Sequence, residues 1–312
     1  METIACNLCG SVKATPVFAL PDLLLNRPGT VTTFVQCRQC GLIYQNPRPT
    51  LEEIGDHYPP EYEPYAAASG ERTSWLLRRA VQHGLDKRCA PIVQRKKGGR
   101  LLDVGCATGT FLIGMRQYPG WELVGVEINS QVAQIAREQH GLNVLAGTLE
   151  QAAFPDNYFD VVTLWDVVEH LHDPAASLRE IHRILKPDGL LLFRVPNASG
   201  WDARAFGRYW AGLDAPRHLY VFSPHTVKAL LEANGFHVIE VGCRAGGYLT
   251  FVLSLRFWLT AKRFTGPVAR GLVNSLYRPM MRALTVPFFY AIDLTGRGSL
   301  ITVLAAKSPQ EA

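Results

Sequence analysis

Residues 101–109, Leu101-Leu102-Asp103-Val104-Gly105-Cys106-Ala107-Thr108-Gly109, read as an apolar strand that runs into a Gly-x-x-x-Gly turn and opens a helix at Leu112–Gln117. Small residues in such a turn let the backbone approach a ligand closely. Open α/β sheets bind their ligands at this place, beyond the carboxyl end of the first strand. A dinucleotide fingerprint requires Gly-x-Gly-x-x-Gly, and position 107 is alanine, so the loop has little provision for a pyrophosphate. Glu127 closes the next strand, 22 residues after Gly105, where a carboxylate can accept hydrogen bonds from both hydroxyls of a ribose. An adenosine without a pyrophosphate is the expected ligand.

Outward from this point, strands and helices alternate. Arg100–Val104, Glu122–Glu127, Asn143–Leu145, Phe159–Trp165 and Leu190–Val195 read as strands. A helix capped by Asn129 or Ser130 runs through His140 to Gly141, and Ala176–Leu185 is a helix closed by Lys186-Pro187-Asp188-Gly189. Ser223-Pro224 starts a helix that ends at Asn234-Gly235, before strands Phe236–Val241 and Leu300–Ala305. This rhythm predicts an α/β fold, a sheet of parallel strands covered by helices on both faces. Upstream, Thr73 to Gln94 reads as a helix, and residues 50–70 as an extended connector in which Pro59, Pro60 and Pro64 block helix.

Of seven cysteines, four form two Cys-x-x-Cys pairs, Cys6/Cys9 and Cys37/Cys40, each followed by a glycine that permits a tight turn. Four thiolates converging in this way make a closed tetrahedral site for structural zinc. Residues 1–50 are therefore expected to form a zinc ribbon or knuckle, with too few large apolar residues for a core of their own and the metal supplying the folding free energy. A redox-active Cys-x-x-Cys is the alternative reading. Residues 51–98 hold the connector and its helix, and 99–312 the main domain.

Of the 312 residues, 47% are hydrophobic and 19% charged, which is ordinary for a globular protein with a large core. The formal charge of +5 is only mildly basic and argues against nucleic acid as the main partner. The charge is uneven: residues 244–298 carry eight basic side chains against Asp293 alone, a local +7 that leaves −2 for the remainder. The N-terminal stretch lacks the basic start and apolar run of a secretory signal, so a cytoplasmic protein is expected.

The segment from residue 100 to 240 resembles the class I S-adenosylmethionine-dependent methyltransferases. Asp103–Gly109 is similar to the family's first motif, Val124-Gly125-Val126-Glu127 to its ribose-binding strand, Phe159-Asp160-Val161-Val162 to its fourth strand, and Leu185–Gly189 to the turn before the fifth. The resemblance implies a Rossmann-like seven-stranded sheet and S-adenosylmethionine as cofactor. It implies that Asp103 and Gly105 lie under the methionine part, that Glu127 holds the ribose, and that Ile128 and Leu149 flank the adenine, with Cys106, Gly109 and Trp165 completing the set. The family usually has glycine where Ala107 stands and an acidic residue near Thr148, for which Glu150 is the substitute. The zinc pairs followed by Gly41-Leu42-Ile43-Tyr44 and the tyrosine-rich connector are similar to a bacterial subgroup that methylates sugars and related metabolites.

Methyl transfer to a hydroxyl needs alignment and removal of a proton. Asp166, Glu169 and His170 stand at i, i+3 and i+4, one face of a helix expected after the fourth strand, with His170 as a candidate base beside a carboxylate. The same trio resembles a Glu-x-x-Glu-His element of ubiquinone-pathway O-methyltransferases; the alternative is that it only orients the helix. A second cluster follows the fifth strand, in which Tyr209 or His218 is a candidate base and Arg217 a holder of an anionic acceptor, unless the loop is simply stapled by its own Arg–Asp pairs.

The insertion 244–298 contains Tyr248–Leu259 and Leu284–Ile292, apolar runs shorter than the roughly 18–20 residues that span a bilayer. A lid or a homodimer face is expected there, with a peripheral contact on an anionic inner-membrane surface as the alternative. The function expected from all of this is methyl transfer to a small-molecule acceptor: a sugar, a polyol or a lipid-linked intermediate. Quinone-like phenols are a second acceptor class, and a zinc-ribbon RNA-binding protein or RNA methyltransferase a third reading.

Overall fold

The computed structural model of the chain describes residues 1–58, 75–243 and 247–308. Its strands are β1 (Ala14–Asp22), β2 (Arg27–Cys37), β3 (Ile43–Gln45), β4 (Gly99–Val104), β5 (Trp121–Glu127), β6 (Asn143–Ala146), β7 (Phe159–Trp165), β8 (Leu185–Pro196), β9 (Tyr220–Val221), β10 (Phe236–Gly242) and β11 (Leu300–Lys307). Its helices are α1 (Trp75–Val93), α2 (Thr110–Met115), α3 (Ser130–His140), α4 (Pro174–Ile184), α5 (Trp201–Phe206), α6 (Pro224–Ala233), α7 (Gly247–Ala261), α8 (Pro267–Leu276) and α9 (Pro279–Leu294). The chain divides into two units, one of residues 1–57, 195–229 and 241–302, the other of 58–194, 230–240 and 303–312.

The second unit is built on a seven-stranded sheet of order β10-β11-β8-β7-β4-β5-β6. Its central pairs β7/β8, β4/β7, β4/β5 and β5/β6 are all parallel, so the connections must cross over the sheet as helices. Leu101, Val161, Leu192 and Leu304 pack with Cys89 and Ile92 of α1 and Phe111 and Leu112 of α2. The alternate strand residues Leu102, Val162, Leu191 and Phe193 point to the opposite side and are equally buried, so that face is covered as well. This is the Rossmann-like architecture that the alternating sequence implies.

The local signals act as their chemistry requires. The Asn129 side chain accepts hydrogen bonds from the amides of Gln131 (3.0 Å) and Val132 (3.2 Å) to start α3, which stops at a left-handed Gly141. Asp173 caps α4 with Pro174 in its first turn. Lys186-Pro187-Asp188-Gly189, expected as a turn, is an irregularity within β8 instead: Phe159 pairs with Leu185 but Val161 with Leu190. Lys186 holds it to the sheet by donating to both carboxylate oxygens of Asp160 at 2.9 Å.

The first unit carries a four-stranded sheet of order β1-β2-β3-β9. The expectation that residues 1–50 lack a core of their own needs a refinement, because residues distant in sequence complete one. Leu20 and Phe34 pack with Trp210, Leu213, Ala215 and Val221, and β9 extends the N-terminal sheet through Tyr44 and Tyr220. The connector expected over residues 50–70 lies largely outside the described residues, apart from a 3-10 turn at Ile54–His57. No helix among the described residues is long and apolar enough to cross a membrane.

Candidate functional site

The turn after β4 is held against the end of β5 from below. The amides of Gly105 and Cys106 donate to the Val126 carbonyl (2.8 and 3.1 Å), and Glu127 accepts the amides of Ala107 at Oε2 and Asn129 at Oε1, both 2.9 Å. Gly105 has φ +68°, and a Cβ there would stand 2.6 Å from Val167 Cγ2; a Cβ on Gly109 would stand 2.0 Å from Leu142 Cδ1. Neither position admits a side chain, so both glycines shape the turn by close approach. Ala107, where the resemblance leads one to expect glycine, takes φ +48° and keeps the turn.

Each Glu127 oxygen accepts one of these two amides, and a carboxylate oxygen has the capacity to accept a second hydrogen bond from a ligand hydroxyl. Burial raises its pKa, opposed by the amides of Asn129, Ala107 and Ile128. Asp103, fully enclosed in β4, is pushed up to about 7 by burial, against the Thr163 hydroxyl that donates to it at 2.7 Å. Ile128 is 68% exposed beside Glu127, while Leu149 is buried. The Cys106 side chain turns into the core against Gly125, so only its backbone borders the turn.

Trp165, at the end of β7, stacks at a tilt on Phe111 with centroids 5.2 Å apart, and its Nε1 has no hydrogen-bond partner among the described residues. Above the ring, 5.2 Å from its centroid, stands the guanidinium of Arg88 from α1. Burial lowers the pKa of Arg88 to about 10, with Arg194 adding to the effect and Asp166 and Asp103 opposing it. Among the described residues no hydrogen bond or ion pair satisfies Arg88, which leaves a cationic donor beside a buried indole N–H that also lacks a partner there. The sequence reading missed Arg88 because it lies before the motifs in a helix with no periodic signal of its own.

The candidate catalytic residues occupy a different setting from the one expected. Asp166, Glu169 and His170 do not share a helix face. Asp166 has φ +59° and is clamped by Arg194 Nε at 2.8 Å and a second contact from its Nη2, and Val168–His170 make one 3-10 turn. The helix begins only at Asp173, because that residue caps it. Glu169 is fully buried and His170 Nδ1 is hydrogen-bonded to the Tyr58 hydroxyl at 2.8 Å.

In the first unit, His218 Nδ1 lies 2.9 Å from the Gly212 carbonyl. A carbonyl only accepts, so Nδ1 carries a proton, and Nε2 lies 4.0 Å from Asp214. Arg217 is wholly enclosed by Asp22 (2.8 and 2.9 Å) and Asp214 (2.7 Å). It is the staple of this loop and presents no face to an acceptor. Tyr209 lines a cleft of about 600 Å³ together with Arg208, Arg256, Leu20, Leu23 and Phe257.

The four cysteines converge. The Sγ atoms of Cys6, Cys9, Cys37 and Cys40 all lie within 4.8 Å of one another, with Cys6–Cys40 and Cys9–Cys37 at 3.5 Å. Tetrahedral zinc with Zn–S bonds of about 2.3 Å requires sulfurs about 3.8 Å apart, so the donor set fits. Burial pushes Cys6 up to about 11, whereas at Cys37 the burial effect is outweighed by the amides of Cys40 and Gln39 and the neighbouring thiols, which bring it down to about 7. Amides aimed at sulfur are what a bound thiolate needs.

A methyltransferase domain family matches residues 76–251, more than half of the chain, and the chain belongs to that family. Among curated relatives, a malonyl-[acyl-carrier protein] O-methyltransferase of Serratia marcescens is 29% identical over 52% of this chain and 62% of its own length. A demethylmenaquinone methyltransferase of Listeria welshimeri is 30% identical over 40% of this chain and 57% of its own. The chain spans between 38% and 62% of the length of the first curated relatives it matches. Among solved structures, the [4+2]-cyclase SpnF aligns with TM-score 0.52 at 20% identity, covering 84% of this chain and 97% of that one. A SAM-dependent methyltransferase of Thermotoga maritima, described as a possible histamine N-methyltransferase, aligns with TM-score 0.50 at 19% identity over 82% and 98%. These two likenesses establish the fold.

Proposed function

We propose that the chain transfers a methyl group from S-adenosylmethionine to a small-molecule acceptor. The observation that carries this reading is Glu127, a buried carboxylate at the end of β5 that braces the Gly105–Gly109 turn by accepting backbone amides on both oxygens. When bound, S-adenosylmethionine supplies an electrophilic methyl group on a sulfonium. The chain's own residues bind and orient it: Glu127 accepts from the ribose, Ile128 and Leu149 bracket the adenine, and the unsatisfied donors of Arg88 and Trp165 meet the carboxylate of the methionine part. Asp103 stands beneath the turn, enclosed in β4 and bonded to Thr163.

His170, on the turn that follows β7, is the candidate that takes the acceptor's proton, with the Tyr58 hydroxyl at its Nδ1 fixing the ring. His218, whose Nδ1 is bonded to the Gly212 carbonyl, is the second candidate. Acceptors of the sugar, polyol or lipid-linked class are the first to test. The relation to a demethylmenaquinone methyltransferase favours quinone-like phenols as the second class. Structural zinc in the Cys6/Cys9/Cys37/Cys40 cluster belongs to the same reading.

Titration calorimetry with S-adenosylhomocysteine tests the cofactor assignment, and an intact, folded protein that takes up none of it would overturn the assignment. Turnover of His170→Ala and His218→Ala on an active acceptor tests the base: general-base catalysis contributes about 10²–10⁴-fold, so a loss below about tenfold in both variants removes that role.

A further inference from the structure

Helix α9 is apolar on two sides. Met281 and Phe289 on one face pack into a cluster with Tyr248, Val252 and Leu276. On the opposite face Met280, Leu284, Pro287, Ala291 and Leu294 follow at i, i+4, i+7, i+11 and i+14, all exposed. Not one residue of that stripe is charged, and at 1.5 Å per residue it runs about 21 Å along the helix. Ahead of it, Phe264 and Val268 are 62% and 87% exposed. A globular protein seldom leaves so long an apolar stripe in water without something that covers it.

The charge around the stripe says what covers it. Lys262, Arg263, Arg270, Arg278, Arg282 and Arg297 are all exposed, and among the described residues none makes an ion pair. The only acidic residue of the insertion, Asp293, is turned inward with its carboxylate against Gly298. A second copy of the chain is a poor occupant, since a two-fold interface sets a patch against itself and would bring six unpaired cations against six more. A surface that is apolar beneath and anionic at its rim matches both features at once.

We propose that α8 and α9 form a peripheral docking surface for a bilayer rich in anionic phospholipid, with the Met280–Leu294 stripe immersed at the headgroup boundary and the cations on the lipid phosphates. The arginine and lysine stems can lie along the apolar surface while their heads reach the phosphates.

Flotation of the full chain with vesicles tests this. Vesicles of phosphatidylcholine and phosphatidylglycerol at 3:1 should carry the protein at low salt, and vesicles of phosphatidylcholine alone should not. Raising the salt to about 0.5 M should weaken the partition, because exposed charges are then screened within a few Å. Leu284→Glu together with Leu294→Glu should reduce the partition by roughly tenfold or more while S-adenosylhomocysteine binding stays as in the parent. Arg270→Glu with Arg282→Glu should abolish the preference for anionic lipid. The proposal is overturned if anionic vesicles leave the protein in the soluble fraction, or if light scattering finds a dimer that the Leu284→Glu/Leu294→Glu pair dissociates. It is equally overturned if only an acidic protein, and no vesicle, is retained.

Discussion

Replacing Glu127 by Gln keeps the shape of the side chain and removes half of its accepting capacity. In the parent, Oε1 and Oε2 accept the amides of Asn129 and Ala107 at 2.9 Å each, and the proposed ribose bonds use the accepting capacity that remains. In the variant one backbone amide must face an NH2 group, which costs folding stability about 1–3 kcal/mol for the unsatisfied donor. At the ligand, two charge-assisted bonds of about 1.5–3 kcal/mol become at best one neutral bond of about 0.5–1.5 kcal/mol. Allowing for water that satisfies the free hydroxyls, the net loss in binding is about 2–3 kcal/mol, or roughly 30- to 150-fold in Kd. Calorimetric titration with S-adenosylhomocysteine reads this directly. A parallel titration with the 2′-deoxy analogue separates lost ribose contacts from a displaced loop: the analogue should bind the parent weakly and lose little more on Glu127→Gln. A variant that binds S-adenosylhomocysteine within threefold of the parent would refute the assignment of Glu127 to the ribose.

Three further outcomes are expected. Asp103 has a folded pKa of about 7 against an ordinary 3.8, so the native state holds a proton that the unfolded chain releases, and stability present below pH 4 is lost as pH rises through 7. Asp103→Asn should therefore gain on the parent by about 1.4 kcal/mol per pH unit across that window, roughly 4 kcal/mol in all, and urea midpoints whose difference is flat from pH 4 to 8 would contradict it. Arg217→Met leaves Asp22 and Asp214 buried without their cation and should cost about 3–5 kcal/mol in urea unfolding, with part of the loss recovered by adding Asp22→Asn. Mass spectrometry of metal content should find one zinc per chain, Cys37→Ser should lose it, and a strong chelator should lower the Tm of the parent; a metal-free parent with an unchanged Tm would remove the structural-zinc reading.

The part of this protein legible in its sequence is the part written by local chemistry. Strands β4 to β8 and helices α3 and α4 carry their own signals, since apolar runs, an Asn129 cap, an Asp173-Pro174 start and a Gly141 stop act within a few residues. The Gly105–Gly109 turn and the acidic end of β5 were legible for the same reason, because a close backbone approach needs glycine whatever the rest of the chain does. The spacing of the two Cys-x-x-Cys pairs likewise announced that four sulfurs could meet, and they do meet.

What only the tertiary structure decided is where long-range partners settle a residue's role. Arg217 looked free for a ligand until Asp22, 195 residues away in sequence, was seen to enclose it. Asp166 left its expected helix because Arg194 holds it in a left-handed turn. Arg88 had no motif, and its place above Trp165 exists only because α1 packs on the sheet. The N-terminal residues gained a core from Trp210 and Val221, which no count of their own apolar side chains could supply. In each case the deciding energy is the desolvation of a buried charge or apolar surface, and that depends on which segments meet in space, a property no local stretch of sequence contains.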